Sequence, residues 1–270
     1  MDNTPPADPS KPQAKHLAGR IALVTGATRG IGRAVAIALA QAGAHLIVTG
    51  RTAGALEELD DEIRAAGSEA TLLTLNMKHG DKIDALGPTI YARWGRLDIL
   101  VANAGVLGTL SPLSHVTTDT WTETMEINLT ANWRLIRTVD PLLQLSDAGR
   151  AIFVTSGAAS AKNAYWGPYA VSKAGLEALA KTYAHEMAST NVRVNLINPG
   201  PIRTRMRGKA FPGEDPMTLK TPEDIAPLFV TLASPSHTGN GQIHDFATGA
   251  VRGGDAPHAV KAAERVIRVE

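Results

Sequence analysis

The 270-residue chain contains no cysteine. Disulfides, thiolate nucleophiles and Cys-ligated zinc or iron–sulfur centres are therefore excluded. It also lacks an excess of either charge, with 27 basic and 26 acidic residues leaving a formal net charge of +1. A dedicated nucleic-acid binder carries a clear basic excess, so no nucleic-acid partner is expected. No apolar run approaches the roughly 20 residues that cross a bilayer, so no membrane span is expected either. Residues 1–15 (MDNTPPADPSKPQAK) have acids and prolines and no apolar centre, unlike a secretory signal. The histidines are scattered, and His185-Glu186 has no second histidine four positions from the first. No H-E-x-x-H metal site is expected. A cytoplasmic protein without a metal is the expectation.

What remains is an ordinary globular composition, 44% hydrophobic and 20% charged. At this length about 73% of the unfolded surface is buried on folding, enough for one large core. Residues 1–18 read as a flexible, Pro-rich leader. From Ile21 onward, short apolar runs at 21–25, 45–49, 70–75, 99–102, 151–154, 192–197 and 242–246 alternate with longer Ala-rich stretches. The runs are continuous, as strands covered on both faces by helices are. Helices are predicted near 30–42, 54–66, 80–94, 118–145, 168–187 and 222–232. This alternation predicts an α/β fold, a doubly wound parallel sheet with helices on both faces, as a single domain over 19–250. The Pro- and Gly-bearing segment 200–219 is long for a connection and reads as a lid. Residues 251–270 form a C-terminal extension whose amphipathic stretch, 258–269, is a docked arm or a frayed end.

The first apolar run leads into Thr25-Gly26-Ala27-Thr28-Arg29-Gly30-Ile31-Gly32 and then directly into a predicted helix. Glycines tighten such a turn and let backbone N–H groups approach a pyrophosphate at the helix N-terminus. Three glycines at this G-x3-G-x-G spacing arise by chance roughly 0.2 times in such a chain, so the spacing alone is weak. Its position at the start of a βαβ unit is what points to a dinucleotide. An NAD site places a carboxylate near the end of the second strand. Here that strand ends Val48-Thr49-Gly50-Arg51-Thr52, and the first acid is Glu57. Arg51, flanked by Arg29, would instead pair bidentately with a 2′-phosphate, so NADP(H) is expected over NAD(H).

Tyr169 and Lys173 are four residues apart in a helix-prone run, which puts both side chains on one face. Ser156 lies thirteen residues before Tyr169, after the fifth apolar run. Chance co-occurrence of Ser, Tyr and Lys at these offsets is about 0.006, so this spacing is discriminating. Carbonyl reduction by a hydride needs a proton at the developing alkoxide, and a free phenol, with a pKa of about 10, is a poor source near neutrality. A nearby ammonium, here Lys173, would lower that pKa. Ser156 would hydrogen-bond the substrate oxygen.

Thr25-Gly26-x3-Gly30-x-Gly32, Asn103-Ala104-Gly105, Asn128, Ser156, Tyr169-x3-Lys173 and Pro199-Gly200 together resemble the compact branch of the short-chain dehydrogenase/reductase family. The match runs over about residues 17–250 in the family's motif order. The resemblance implies a seven-stranded Rossmann-type sheet, a nicotinamide cofactor and a proton relay. In that relay Tyr169 is the acid/base, Lys173 the pKa modulator and Asn128 the holder of a relay water. Asn103, Ala104 and Gly105 would shape the adenosine side of the pocket. Pro199, Gly200 and Thr204 would line the nicotinamide side, with Ile202 packing on its carboxamide. Asn76 stands where many members carry an Asp facing the adenine, so a weakened contact through its carbonyl is expected. Finer motifs, at 146–149, 166–169, 203–207 and 214–216, resemble YciK-type oxidoreductases.

Arg203, Arg205 and Arg207 lie in the expected lid. They form salt bridges with Glu214 and Asp215, or they attract an acidic or phosphorylated substrate. Trp166 lines a substrate wall or packs beneath the loop, and Met206 is a second candidate for substrate contact. Alanine or glycine at 170, 174, 175, 178, 180 and 184 allows close approach to the helix that carries Tyr169. Relatives assemble through this helix and the one at 118–145, so a homodimer or homotetramer is expected. The sequence thus reads as an NADP(H)-dependent oxidoreductase interconverting a carbonyl and a secondary alcohol on a small molecule. Two alternatives stay open. One is a 3-oxoacyl thioester reductase, separable by its activity on acyl-carrier substrates against free ketones. The other is a non-catalytic dinucleotide-sensing protein, which has little reason to keep Ser156, Tyr169, Lys173 and Asn128 together.

Overall fold

A computed structural model of the chain describes residues 15–161 and 163–254. Residues 1–14 of the leader and the amphipathic stretch at 258–269 lie outside the described residues. The apolar runs become strands β1 (Ile21–Val24), β2 (His45–Gly50), β3 (Ala70–Thr74), β4 (Ile99–Ala102), β5 (Arg150–Val154), β6 (Arg193–Asn198) and β7 (Gln242–Asp245). β1, β4 and β5 are buried at every position, as central strands covered by helices must be. The sheet order is β3-β2-β1-β4-β5-β6-β7-β8, with every pair parallel except the last. The eighth strand, β8 (Val251–Gly253), is an exposed antiparallel edge. Three residues are too few to show a strand pattern, so the sequence reading placed it in the C-terminal extension.

The helices are α1 (Gly30–Gln41), α2 (Ala53–Ala65), α3 (Gly80–Asp84), α4 (Leu86–Trp94), α5 (Thr118–Met125), α6 (Ala131–Gln144), α7 (Gly167–Glu186), α8 (Arg205–Ala210) and α9 (Pro222–Ala233). α9 begins with a full capping box between Thr221 and Asp224 and has Pro222 at its first position. Two buried clusters cover the two faces of the sheet. Val35, Leu39, Leu56 and Phe229 from α1, α2 and α9 fill one. Ile90, Leu135, Val139 and Leu176 from α4, α6 and α7 fill the other. Full burial of each such side chain contributes about 1.5–3 kcal/mol.

Three predicted boundaries shift. The helix expected at 80–94 is two, because Gly87 packs against Thr138 and its N–H donates to Thr138 Oγ1 at 3.1 Å. The helix expected at 118–145 is also two, separated by a π-helical turn, Glu126–Thr130. Residues 15–18, read as leader, belong to the domain. Leu17 is fully buried against the α1 side of the core, and its N–H donates to the Ala42 carbonyl at 2.9 Å.

Candidate active site

Strand order reverses between β1 and β4, which leaves a crevice at the carboxyl ends of the strands. A cavity of about 720 Å³ occupies it. Asn76 after β3, Arg51 after β2, Gly26 after β1, Asn103 after β4, Ser156 after β5 and Gly200 after β6 line it in the order of the sheet. Thr28, Arg29, Gly30, Ile31, Ala104, Gly105, Trp166, Tyr169, Lys173, Pro199, Ile202, Thr204 and Met206 line it as well. Among the sequence-predicted residues, only Gly32 and Asn128 sit behind the wall.

The glycine turn is fixed from below. Gly26 has φ +63°, and a Cβ there would lie 3.0 Å from Ala104 Cα. A Cβ on Gly32 would collide with the Asn103 amide and the Gly26 carbonyl. Asn103 Nδ2 donates to the carbonyls of Thr25 (2.9 Å) and Gly26 (3.2 Å). Thr25 Oγ1 in turn accepts from the N–H groups of Asn103 (3.0 Å) and Ala104 (3.1 Å). Asn103 therefore holds the turn with its side chain instead of presenting that amide to an adenosine. α1 has no side-chain N-cap, and Gly30 and Ile31 in its first turn line the cavity. Such an end is a ready anion site. Arg29 and Arg51 are exposed and, among the described residues, neither is in an ion pair. Asn76 lines the cavity, and its side-chain oxygen accepts from the Lys78 N–H at 3.2 Å, using one of its two lone pairs.

At the other end, α7 presents Tyr169 and Lys173, both buried. Lys173 Nζ donates to the Val154 carbonyl at 2.8 Å and lies 5.8 Å from the centre of the Tyr169 ring. Burial lowers the Lys173 pKa to about 8. Burial also raises the Tyr169 pKa, opposed by a hydrogen bond from the Ser156 side. The Lys173 ammonium takes no part in that shift; it is buried and bonded to the Val154 carbonyl.

Asn128 lies in the π-helical turn, and its amide is fully engaged. Oδ1 accepts from Val106 N–H (2.8 Å), while Nδ2 donates to the Val106 carbonyl (2.8 Å) and to Ser172 Oγ (3.0 Å). The Asn128 carbonyl accepts from Asn132 Nδ2 at 2.8 Å. Ser172, fully buried, passes the chain on by donating to the Tyr169 carbonyl at 2.8 Å. Sequence reasoning missed Ser172, although its place one residue before Lys173 was visible. A wall closes the cavity above. The Trp166 ring packs on Tyr169 at 5.9 Å and on Phe211 at 5.7 Å. The Arg207 guanidinium covers Phe211 at 3.7 Å and bonds twice to Glu214 at 2.5 Å. Among the described residues Asp215 forms no such pair; it caps the following turn through Met217 N–H, and Arg203 donates to the Leu219 carbonyl. Tyr165, beside Trp166, has φ +74°, the one left-handed non-glycine among the described residues.

A doubly wound sheet with its cleft at the switch point places the chain among Rossmann-type folds. Within them it belongs to the short chain dehydrogenase family, whose model matches residues 20–215. It is 38% identical over 225 residues to the uncharacterized oxidoreductase YciK of Escherichia coli K12, covering 82% of this chain and 89% of that protein. A 3-oxoacyl-[acyl-carrier-protein] reductase of Synechocystis is 37% identical over 192 residues, 70% of this chain and 77% of that one. A crystal structure of a proposed short-chain dehydrogenase from Shigella flexneri 2a, complexed with NADP, superposes with a TM-score of 0.83 at 38% identity. It covers 86% of this chain and 99% of that one. Among the described residues, no helix is long and apolar enough to cross a membrane.

Proposed function

We propose that the chain is an NADP(H)-dependent oxidoreductase interconverting a carbonyl and a secondary alcohol on a small organic molecule. The observation that carries this reading is one cavity with two unpaired arginines at the β2 end and Ser156 with Tyr169 at the β5 end. The NADP bound to the Shigella relative supports the same cofactor. The uncapped N-terminus of α1 and the glycine turn would hold the pyrophosphate. Arg29 and Arg51 would pair with the 2′-phosphate, and Lys173 would hold the nicotinamide ribose. When bound, the nicotinamide supplies or accepts a hydride at the substrate carbon.

The chain's own part is the proton. Ser156 Oγ donates a hydrogen bond to the substrate oxygen, and Tyr169 Oη delivers a proton to it in reduction or removes one in oxidation. Asn128 and Ser172 tie the Tyr169 turn of α7 to Val106 in the loop after β4. Trp166, Phe211 and the lid over 200–219 exclude water from that end. The exposed Trp133 and Val171 on α6 and α7 support assembly into a homodimer or homotetramer of this cytoplasmic enzyme.

Titration with NADPH and NADH, followed by nicotinamide fluorescence, tests the cofactor, and tighter NADPH binding is expected. Tighter NADH binding would overturn the arginine assignment. Tyr169→Phe should keep NADPH affinity and lower turnover by about 10²- to 10⁴-fold. Unchanged turnover would remove Tyr169 as the acid. The Synechocystis relative supports a second reading, reduction of a 3-oxoacyl thioester. Higher activity on acyl-carrier substrates than on free ketones would select it.

A further inference from the structure

The cavity wall carries six cations, Arg29, Arg51, Lys173, Arg205, Arg207 and Lys209, against one carboxylate, Glu123. Glu123 is itself paired with Lys78 at 3.4 Å. On the reading above, Arg29 and Arg51 face a 2′-phosphate, and Lys173 is engaged by the Val154 carbonyl. Arg207 is matched by Glu214. Two cations are then left over, Arg205 and Lys209.

Their placement is not that of ordinary surface charge. They are four residues apart on α8, so they share a face, and Met206 and Ala210 between and beside them line the cavity too. Both are exposed, and neither is in an ion pair among the described residues. α8 follows β6, which neighbours the β5 strand that leads to Ser156. Four inter-strand spacings, about 19 Å, separate β6 from β2 and Arg51. The start of α8 does border the glycine turn, since a Cβ on Gly30 would meet Thr204 Cγ2 at 3.4 Å. Lys209 lies a full helical turn beyond Arg205. Trp166 and Tyr169 line the same cavity as the pair.

We propose that Arg205 and Lys209 bind an anionic group on the substrate itself, a carboxylate or a phosphate, so that the enzyme's substrates are anionic carbonyl compounds and their alcohols. This rests on the oxidoreductase reading and adds the substrate's charge. Two cations in a recessed cleft attract an anion and form charge-assisted bonds with it.

The test is calorimetric binding of matched probes to the NADP⁺-saturated full chain: 4-formylbenzoate, 4-formylphenyl phosphate and the neutral 4-formylbenzamide. One or both anions should bind at least about tenfold tighter than the amide. Whichever anion binds better identifies the group. The Arg205→Gln/Lys209→Gln double variant should lose that preference and keep its NADP⁺ affinity. Equal binding of the three probes, or binding of none, overturns the proposal. Parallel loss of NADP⁺ affinity in the variant overturns it too, assigning the pair to the pyrophosphate. NADP⁺ binding by the wild-type chain is measured before any probe is added. Its absence would bring down the underlying oxidoreductase reading, and this inference with it.

Discussion

Asn128 offers a test that does not depend on knowing the substrate. Its amide bridges the Val106 backbone and Ser172 Oγ from a fully buried position. Asn128→Ala removes one acceptor and the donor group together. It leaves the Val106 N–H and carbonyl without partners, and Ser172 Oγ without a donor. An orphaned buried polar group costs about 1–3 kcal/mol. Val106 is only half-buried, so water can partly replace the lost bonds there. Ser172 still donates to the Tyr169 carbonyl and loses only an acceptor role. The sum is a destabilisation of about 2–4 kcal/mol, against a typical total of about 5–15 kcal/mol. The variant should fold and unfold at clearly lower urea, read by tryptophan fluorescence at one protein concentration. Ser172→Ala keeps the Val106 pair and should cost about 1 kcal/mol. A loss below about 1 kcal/mol for Asn128→Ala, with an unchanged denaturant slope, would refute the claim that this amide holds the frame.

Arg51→Asp should move cofactor preference from NADPH toward NADH by at least about tenfold, since a carboxylate repels a 2′-phosphate and accepts from a ribose hydroxyl; unchanged NADPH affinity on titration would contradict it. Burial places Lys173 at about 8 against an ordinary 10.5, so between about pH 8 and 10 the unfolded chain binds more protons and stability rises with pH. Lys173→Met should abolish that rise, worth about 2 kcal/mol across the window, and parallel pH profiles of unfolding in the two proteins would count against it. Leu17→Ala should cost about 2–5 kcal/mol, as for a core leucine, whereas a residue in a loose leader would cost almost nothing in the same urea assay.

The sheet was legible because its signal is local. Runs such as Ile21–Val24 and Ile99–Ala102 are continuous because both faces of those strands are covered, and the glycine turn announces itself between a strand and a helix. The helix breaks were not legible. Gly87 and Asn128 look ordinary until Thr138 and Val106, distant in sequence, bond to them at the two interruptions. Spacing likewise brought Tyr169 and Lys173 onto one face, yet it carried no information on burial, which sets the direction of both their pKa values.

The same limit governs the cleft as a whole. A motif says which groups meet, while chemistry depends on which of them are already engaged. Asn103 stands in the family's adenosine-side motif, but the Thr25 and Gly26 carbonyls hold its amide, so its contribution reaches a cofactor only through the shape of the turn. Arg205, Arg207 and Lys209 are interchangeable as charges in a linear reading of α8. The structure separates them: Glu214 and Phe211 occupy Arg207, which then braces the wall over Tyr169 through Trp166. Arg205 and Lys209, with no such partner, face a cavity whose single carboxylate is paired elsewhere. On the NADP(H) reading proposed above, a 2′-phosphate would answer for the β2 end, and the proposed substrate anion would answer for Arg205 and Lys209.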